Sequence, residues 1–193
     1  MKLKTELYML LQLMLVITMS ACVPDSKNPL TAFDRDVMDA SVYGTWFWKD
    51  ELETGYLHFG RERESGLLQL MMVDLDNSGR INVTQMRGHT SQFGGNRYLN
   101  LKFVPPDEDI GEYILMKYEI TEKGLGLAFM DPSVIEKAIE DNVLAGRVER
   151  EGHVSSVHLT DTSNKLQQFV RKNDQALFPE MKFLPRLVLP QGS

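Results

Sequence analysis

Apolar and polar residues alternate with a period of two over much of the chain, the pattern of half-buried β-strands. Leu99, Leu101 and Phe103 oppose Asn100 and Lys102; Ile114, Met116, Tyr118 and Ile120 oppose Lys117 and Glu119. Each run predicts one dry face and one wet face. Further strands are expected over 43–48, 56–59, 81–86 and 125–130. The run 67–73 is apolar on both faces apart from Gln69, which predicts burial on both sides. Turn-forming clusters punctuate these runs at Asp76-Asn77-Ser78-Gly79, Gly94-Gly95-Asn96 and Thr121-Glu122-Lys123-Gly124.

Two segments break the two-residue period. After Asp131, a capping residue, and Pro132, suited to a first turn, Val134, Ile135, Ala138 and Ile139 form one helical stripe. Short strands are expected over 146–150 and 153–159, followed by a helix capped near Asp161 or Thr162 that turns Leu166, Phe169 and Val170 inward. The apolar, proline-broken tail 178–190 is expected to pack over the sheet. The fold class predicted is mainly β with two short helices. Eight or nine closely spaced antiparallel strands predict a closed or nearly closed barrel.

The N-terminus reads differently. Lys2 and Lys4 precede an apolar stretch over 7–19, too short to span a bilayer, and Ser20-Ala21 then lead into Cys22, the chain's single cysteine. Residues 1–21 are therefore expected to be an export signal, 22–34 a polar, proline-marked tether, and 35–193 a single domain. Removing 1–21 leaves roughly 170 residues, enough for one domain with a real core. The full chain carries a net charge of −6 and has no basic cluster, which argues against nucleic acid as a partner.

Met19-Ser20-Ala21-Cys22 resembles the lipobox of bacterial lipoproteins. That resemblance implies lipidation of Cys22 and anchoring to a membrane. Val23, rather than aspartate, after the cysteine implies the outer membrane, facing the periplasm. Gly44-Thr45-Trp46 opens the first strand after a helical-looking segment over 36–41 and resembles the Gly-x-Trp signature of lipocalins and related calycins, in which the tryptophan plugs the barrel floor. Gly95-Asn96-Arg97-Tyr98-Leu99-Asn100, Lys117-Tyr118-Glu119-Ile120, Met130-Asp131-Pro132 and Leu159-Thr160-Asp161 resemble a family of uncharacterised proteobacterial lipoproteins. That likeness implies a compartment and a shape, and no activity.

Candidate chemistry is sparse. Asp74, Asp76 and Ser78 occupy the first three ligand positions of an EF-hand-like loop, but Gln85 stands where the bidentate glutamate belongs and both flanks read as strands. A hairpin turn and a weak calcium site both fit. The histidines do not cluster: His153 and His158 face opposite sides of a regular strand, His58 shares a face with Tyr56, and His89 falls in a glycine- and serine-flanked loop. There is no Gly-x-Ser-x-Gly elbow, no phosphate loop and no cofactor motif, so the reading leans away from an enzyme. Trp46, Trp48 and Tyr56 remain, and they either line a pocket for a small apolar or amphipathic ligand or fill the barrel. A filled barrel would instead make the chain an interaction module for an envelope protein.

Overall fold

The computed structural model describes residues 23–49, 53–76, 78–104, 112–151 and 154–188. The expected signal segment 1–21 and Cys22 lie outside the described residues. Seven strands follow one another as a meander: β2 (Gly44–Lys49), β3 (Glu53–Arg61), β4 (Leu68–Asp76), β5 (Ile81–Phe93), β6 (Asn96–Phe103), β7 (Tyr113–Thr121) and β8 (Gly124–Phe129). Each pairs antiparallel with the next. Gly94 and Gly95, both at positive φ, make the tight β5–β6 turn that the sequence predicts.

The sheet forks at β7. The C-terminal half of β7 pairs with β8, while its N-terminal end pairs with a two-residue strand, β1 (Asp25–Ser26). Beyond β1 lie β10 (Val154–Leu159) and β9 (Gly146–Glu151), and β8 is flanked by β11 (Lys182–Leu184). The mainly β, largely antiparallel class is as expected, with eleven strands among the described residues where eight or nine were expected. The ladders do not close this sheet into the expected barrel. After β11 the chain reaches β2 through one isolated bridge, Trp46↔Arg186, with Phe47 N–H donating to Pro185 O at 3.1 Å and Leu187 N–H donating to Thr45 O at 2.8 Å. Pro185 lacks the amide proton that would extend the ladder.

Two cores result, one on each side of β6 and β7. Inside the curled meander, Trp46, Phe59, Leu68, Leu99, Leu101 and Leu125 pack together with almost no exposure. On the outer side, Tyr98, Leu115 and Ala128 are covered by α1 (Pro132–Glu140), α2 (Ser163–Leu177) and β10. Asp131 caps α1, its carboxylate accepting from Ser133 N–H at 2.8 Å. Ile135, Ala138, Leu166 and Val170 are the faces these helices bury. The outer face of β6 and β7 is therefore not wet, as alternation alone predicts. Asn100 is fully buried there, and Lys117 pairs with Asp174 of α2.

The segment expected as a tether is corrected in the same way. Asp25 and Ser26 are buried strand residues, and Leu30 is fully buried in the outer core. Its local sequence is polar and proline-marked, but the pairing that fixes it comes from β10, more than a hundred residues downstream. His89 likewise sits inside β5 and not in a loop; it is buried, with Nε2 2.8 Å from Thr31 O. Burial on both sides of 67–73 also fails. Leu68 and Leu70 face inward, whereas Met71 is exposed.

Candidate functional site

Three distant segments meet where the sheet forks. β1 runs parallel to β10 with Asp25 opposite His158, and β10 runs antiparallel to β9 with His158 opposite Arg147. Residues directly opposite share a face, so Asp25, His158 and Arg147 lie side by side. Val157 and Leu159 alternate onto the other face and enter the outer core. Glu112 immediately precedes β7, whose Ile114 pairs with Asp25.

The side chains converge. His158 Nδ1 lies 2.8 Å from Asp25 Oδ1 and 3.2 Å from Glu112 Oε2, and the three donor atoms all lie within 4.8 Å of one another. Across the ring, Nε2 is 3.8 Å from Glu149 Oε2, and Glu149 is held by Arg147 Nε at 2.8 Å. Burial and then the hydrogen bond with Glu112 push the Asp25 carboxyl up to about 7, against the opposing pull of His158. Glu112 moves the other way. The hydrogen bond from Asp25 holds it below the usual carboxylate range, with His158 and Arg147 assisting against burial. The two opposite shifts favour the proton on Asp25 and the negative charge on Glu112. The arrangement can hold a proton or a cation among three sets of lone pairs.

Sequence reasoning treats His158 as solitary and places Asp25 in the tether; the structure brings both together with Glu112. The local sequence carries no signal for this, because the three residues are far apart and β1 has only two residues. His153 lies outside the described residues.

The aromatic candidates are divided. Trp46 is buried opposite Leu57, its Nε1–H donating to Val42 O at 2.9 Å. Trp48, half-buried, packs against the same inner core. Tyr56 pairs with Phe47 on the opposite face of the sheet and is exposed. The three do not line one pocket. Instead Phe47, Tyr56, Val73 and Val83 form a row across four strands on the outer face, with Leu75 and Ile81 beside it. Ile81 is 67% exposed and Val83 46%, so this apolar face is open to solvent.

Asp74, Asp76 and Ser78 lie at the β4–β5 hairpin, in register through Asp74↔Asn82 and Leu75↔Ile81. The Asp74 carboxylate accepts a hydrogen bond from Asn82 Nδ2 at 2.7 Å. That geometry is a strand-to-strand turn, and Asn77 lies outside the described residues. Among the described residues, no helix is long and apolar enough to cross a membrane. Neither a protein-family model, nor a curated protein, nor a solved structure matches the chain.

Proposed function

We propose that the protein is an envelope lipoprotein, anchored through a lipidated Cys22 at the outer membrane, that acts as a docking module for an envelope protein. In this reading the curled meander is an open, calycin-like half-barrel whose interior is filled by its own side chains. One observation carries this reading: the space a carrier would offer its ligand is occupied by Trp46, Phe59, Leu68, Leu70, Leu99 and Leu101. The outward-facing row Phe47–Tyr56–Val73–Val83, with Tyr56 and Val83 exposed and Phe47 and Val73 half-buried, supplies the opposite requirement, an apolar face with room for a partner.

The proposed calycin likeness draws support from the end of the meander where β2 begins. Val42 and Trp46 are buried at the start of the meander, and the Arg186 guanidinium lies 4.6 Å from the centre of the Trp46 ring. Arg186 Nη2 also donates to Tyr43 O at 2.5 Å, so the C-terminal segment pins that end while stitching β2 to the end of the chain. The anchoring proposal rests on the sequence around Cys22.

Site-specific photocrosslinking in cells tests the docking reading. A crosslinker at position 83 or 56 should capture the same discrete protein, and one at Glu119, on the other side of the meander, should not. Equal capture from all three positions would contradict the proposal. Cys22→Ala should move the protein from the membrane fraction to the soluble fraction; retention in the membrane would contradict the anchor.

A further inference from the structure

We propose that Asp25, Glu112 and His158 form a binding site for a single divalent transition-metal ion of the zinc type. Each residue offers one donor atom, and the three atoms converge within 4.8 Å. A tetrahedral zinc ion with bonds of about 2.0–2.2 Å to nitrogen and oxygen needs donor atoms about 3.4 Å apart. Two edges of the triangle, 2.8 and 3.2 Å, lie just inside that spacing, so small side-chain rotations open the set around an ion. An imidazole with two carboxylates favours zinc or manganese over calcium, which takes oxygen ligands alone.

This is more than a patch of surface acids. The imidazole nitrogen sits at its centre, Asp25 is 6% exposed, and the donors come from three different segments of the sheet. A fixed backbone frame surrounds them. Asp25 is held by ladders on both sides, to Ile114 and to His158, so the backbone that carries its carboxylate is fixed. A divalent ion would take the place of the proton that the two carboxylates otherwise share, while Arg147 stays engaged with Glu149.

Glu149 completes the arrangement from outside. Its carboxylate faces His158 Nε2 at 3.8 Å, on the side of the ring away from Asp25 and Glu112. A carboxylate there favours the tautomer with hydrogen on Nε2 and leaves the Nδ1 lone pair for the ion. Glu149 is a positioning residue, and Asp25, Glu112 and His158 are the ligands. A fourth coordination position stays open to water. A bound ion would staple β1 to β10 and to the start of β7, joining the beginning of the domain to its C-terminal half. This inference is independent of the anchoring and docking reading.

Calorimetric titration of ZnCl2 and MnCl2 into the purified protein, stripped with chelator, tests it. One ion per chain should bind, and at a hundredfold excess over Kd the thermal midpoint should rise by roughly 5–10 °C. Glu112→Gln, at a partly exposed position, should keep the fold and weaken binding at least tenfold. Glu149→Gln should weaken it less, and CaCl2 should not compete. Should the ligand variants fail to fold, the imidazole nitrogen spectrum of the unaltered protein gives an independent reading: zinc should shift one histidine resonance and leave the rest. No binding at millimolar zinc, binding indifferent to Glu112→Gln, or a zinc titration that moves no histidine resonance would each overturn the proposal and leave a cluster that holds only a proton.

Discussion

The backbone N–H of Leu30 donates to the side-chain oxygen of Asn100 across 2.7 Å, and both residues are fully buried. Asn100 Nδ2 also donates to Ser91 Oγ at 2.7 Å, and Ser91 Oγ lies 2.5 Å from Thr31 Oγ1. One strand residue thus clamps the N-terminal segment onto the outside of β5 and β6. The segment from Asp25 onward is thereby part of the folded domain, and Asp25 lies only three residues after Cys22 in the sequence.

Asn100→Ala should be destabilising, because it strands the buried Leu30 amide and takes one of the two partners of the Ser91 hydroxyl. A buried group left unpaired costs about 1–3 kcal/mol, and a loss of that size is expected in urea denaturation. Amide exchange at Leu30 should accelerate with it. Unchanged exchange at Leu30 would show that the clamp does not hold the segment.

Arg186 and Trp46 carry the seam between β2 and the C-terminal segment. Arg186→Ala removes both the ring contact and the bond to Tyr43 O, and should cost about 1–2 kcal/mol. Arg186→Lys should recover only part of this, because an ammonium cannot stack flat on the indole while reaching the carbonyl. Full recovery by lysine, read from thermal unfolding, would reduce the contact to simple charge.

Asp174 docks α2 by accepting from Tyr98 Oη at 2.8 Å and pairing with Lys117. Burial, with the bond to Asp174 adding to it, raises the Tyr98 phenol above its ordinary range, so Tyr98 stays a neutral donor. Asp174→Ala should cost about 1–3 kcal/mol by orphaning that hydroxyl. In a double-mutant cycle with Tyr98→Phe, the two losses should be less than additive.

His89 gives a pH dependence of known sign. Burial lowers its pKa below the ordinary histidine value, against the partial support of its bond to Thr31 O. The unfolded chain therefore takes up the proton first as pH falls. Stability supplied by neutral His89 is full above about 6.5 and is lost as pH drops from there toward the lower folded value. The stability gap between the unaltered protein and His89→Gln should narrow between pH 7 and pH 5, measured by urea denaturation at each pH. A gap that widens on acidification would reverse the assignment.

The hairpins were legible in the sequence because their causes are local. Gly94-Gly95, Glu122-Lys123-Gly124 and the Asp131-Pro132 cap sit beside the strands and the helix they shape. The inner core was legible for the same reason, since Leu99, Leu101, Ile114 and Met116 follow the two-residue period. What escaped depends on distant pairing. Nothing near Asp25 reveals a strand, because its partners are Ile114 and His158. Asn100 and His89 look like wet or loop residues until the N-terminal segment and the helices cover them. The candidate ion site fell in that blind spot entirely, with each ligand unremarkable in its own neighbourhood.

Native mass spectrometry of the protein extracted from membranes bears most directly on the filled interior. The account predicts one mass, that of the chain from Cys22 with its covalent acyl groups and at most a single metal ion. A stoichiometric, non-covalently bound lipid or other apolar molecule, lost on mild activation, would contradict it and restore the ligand carrier.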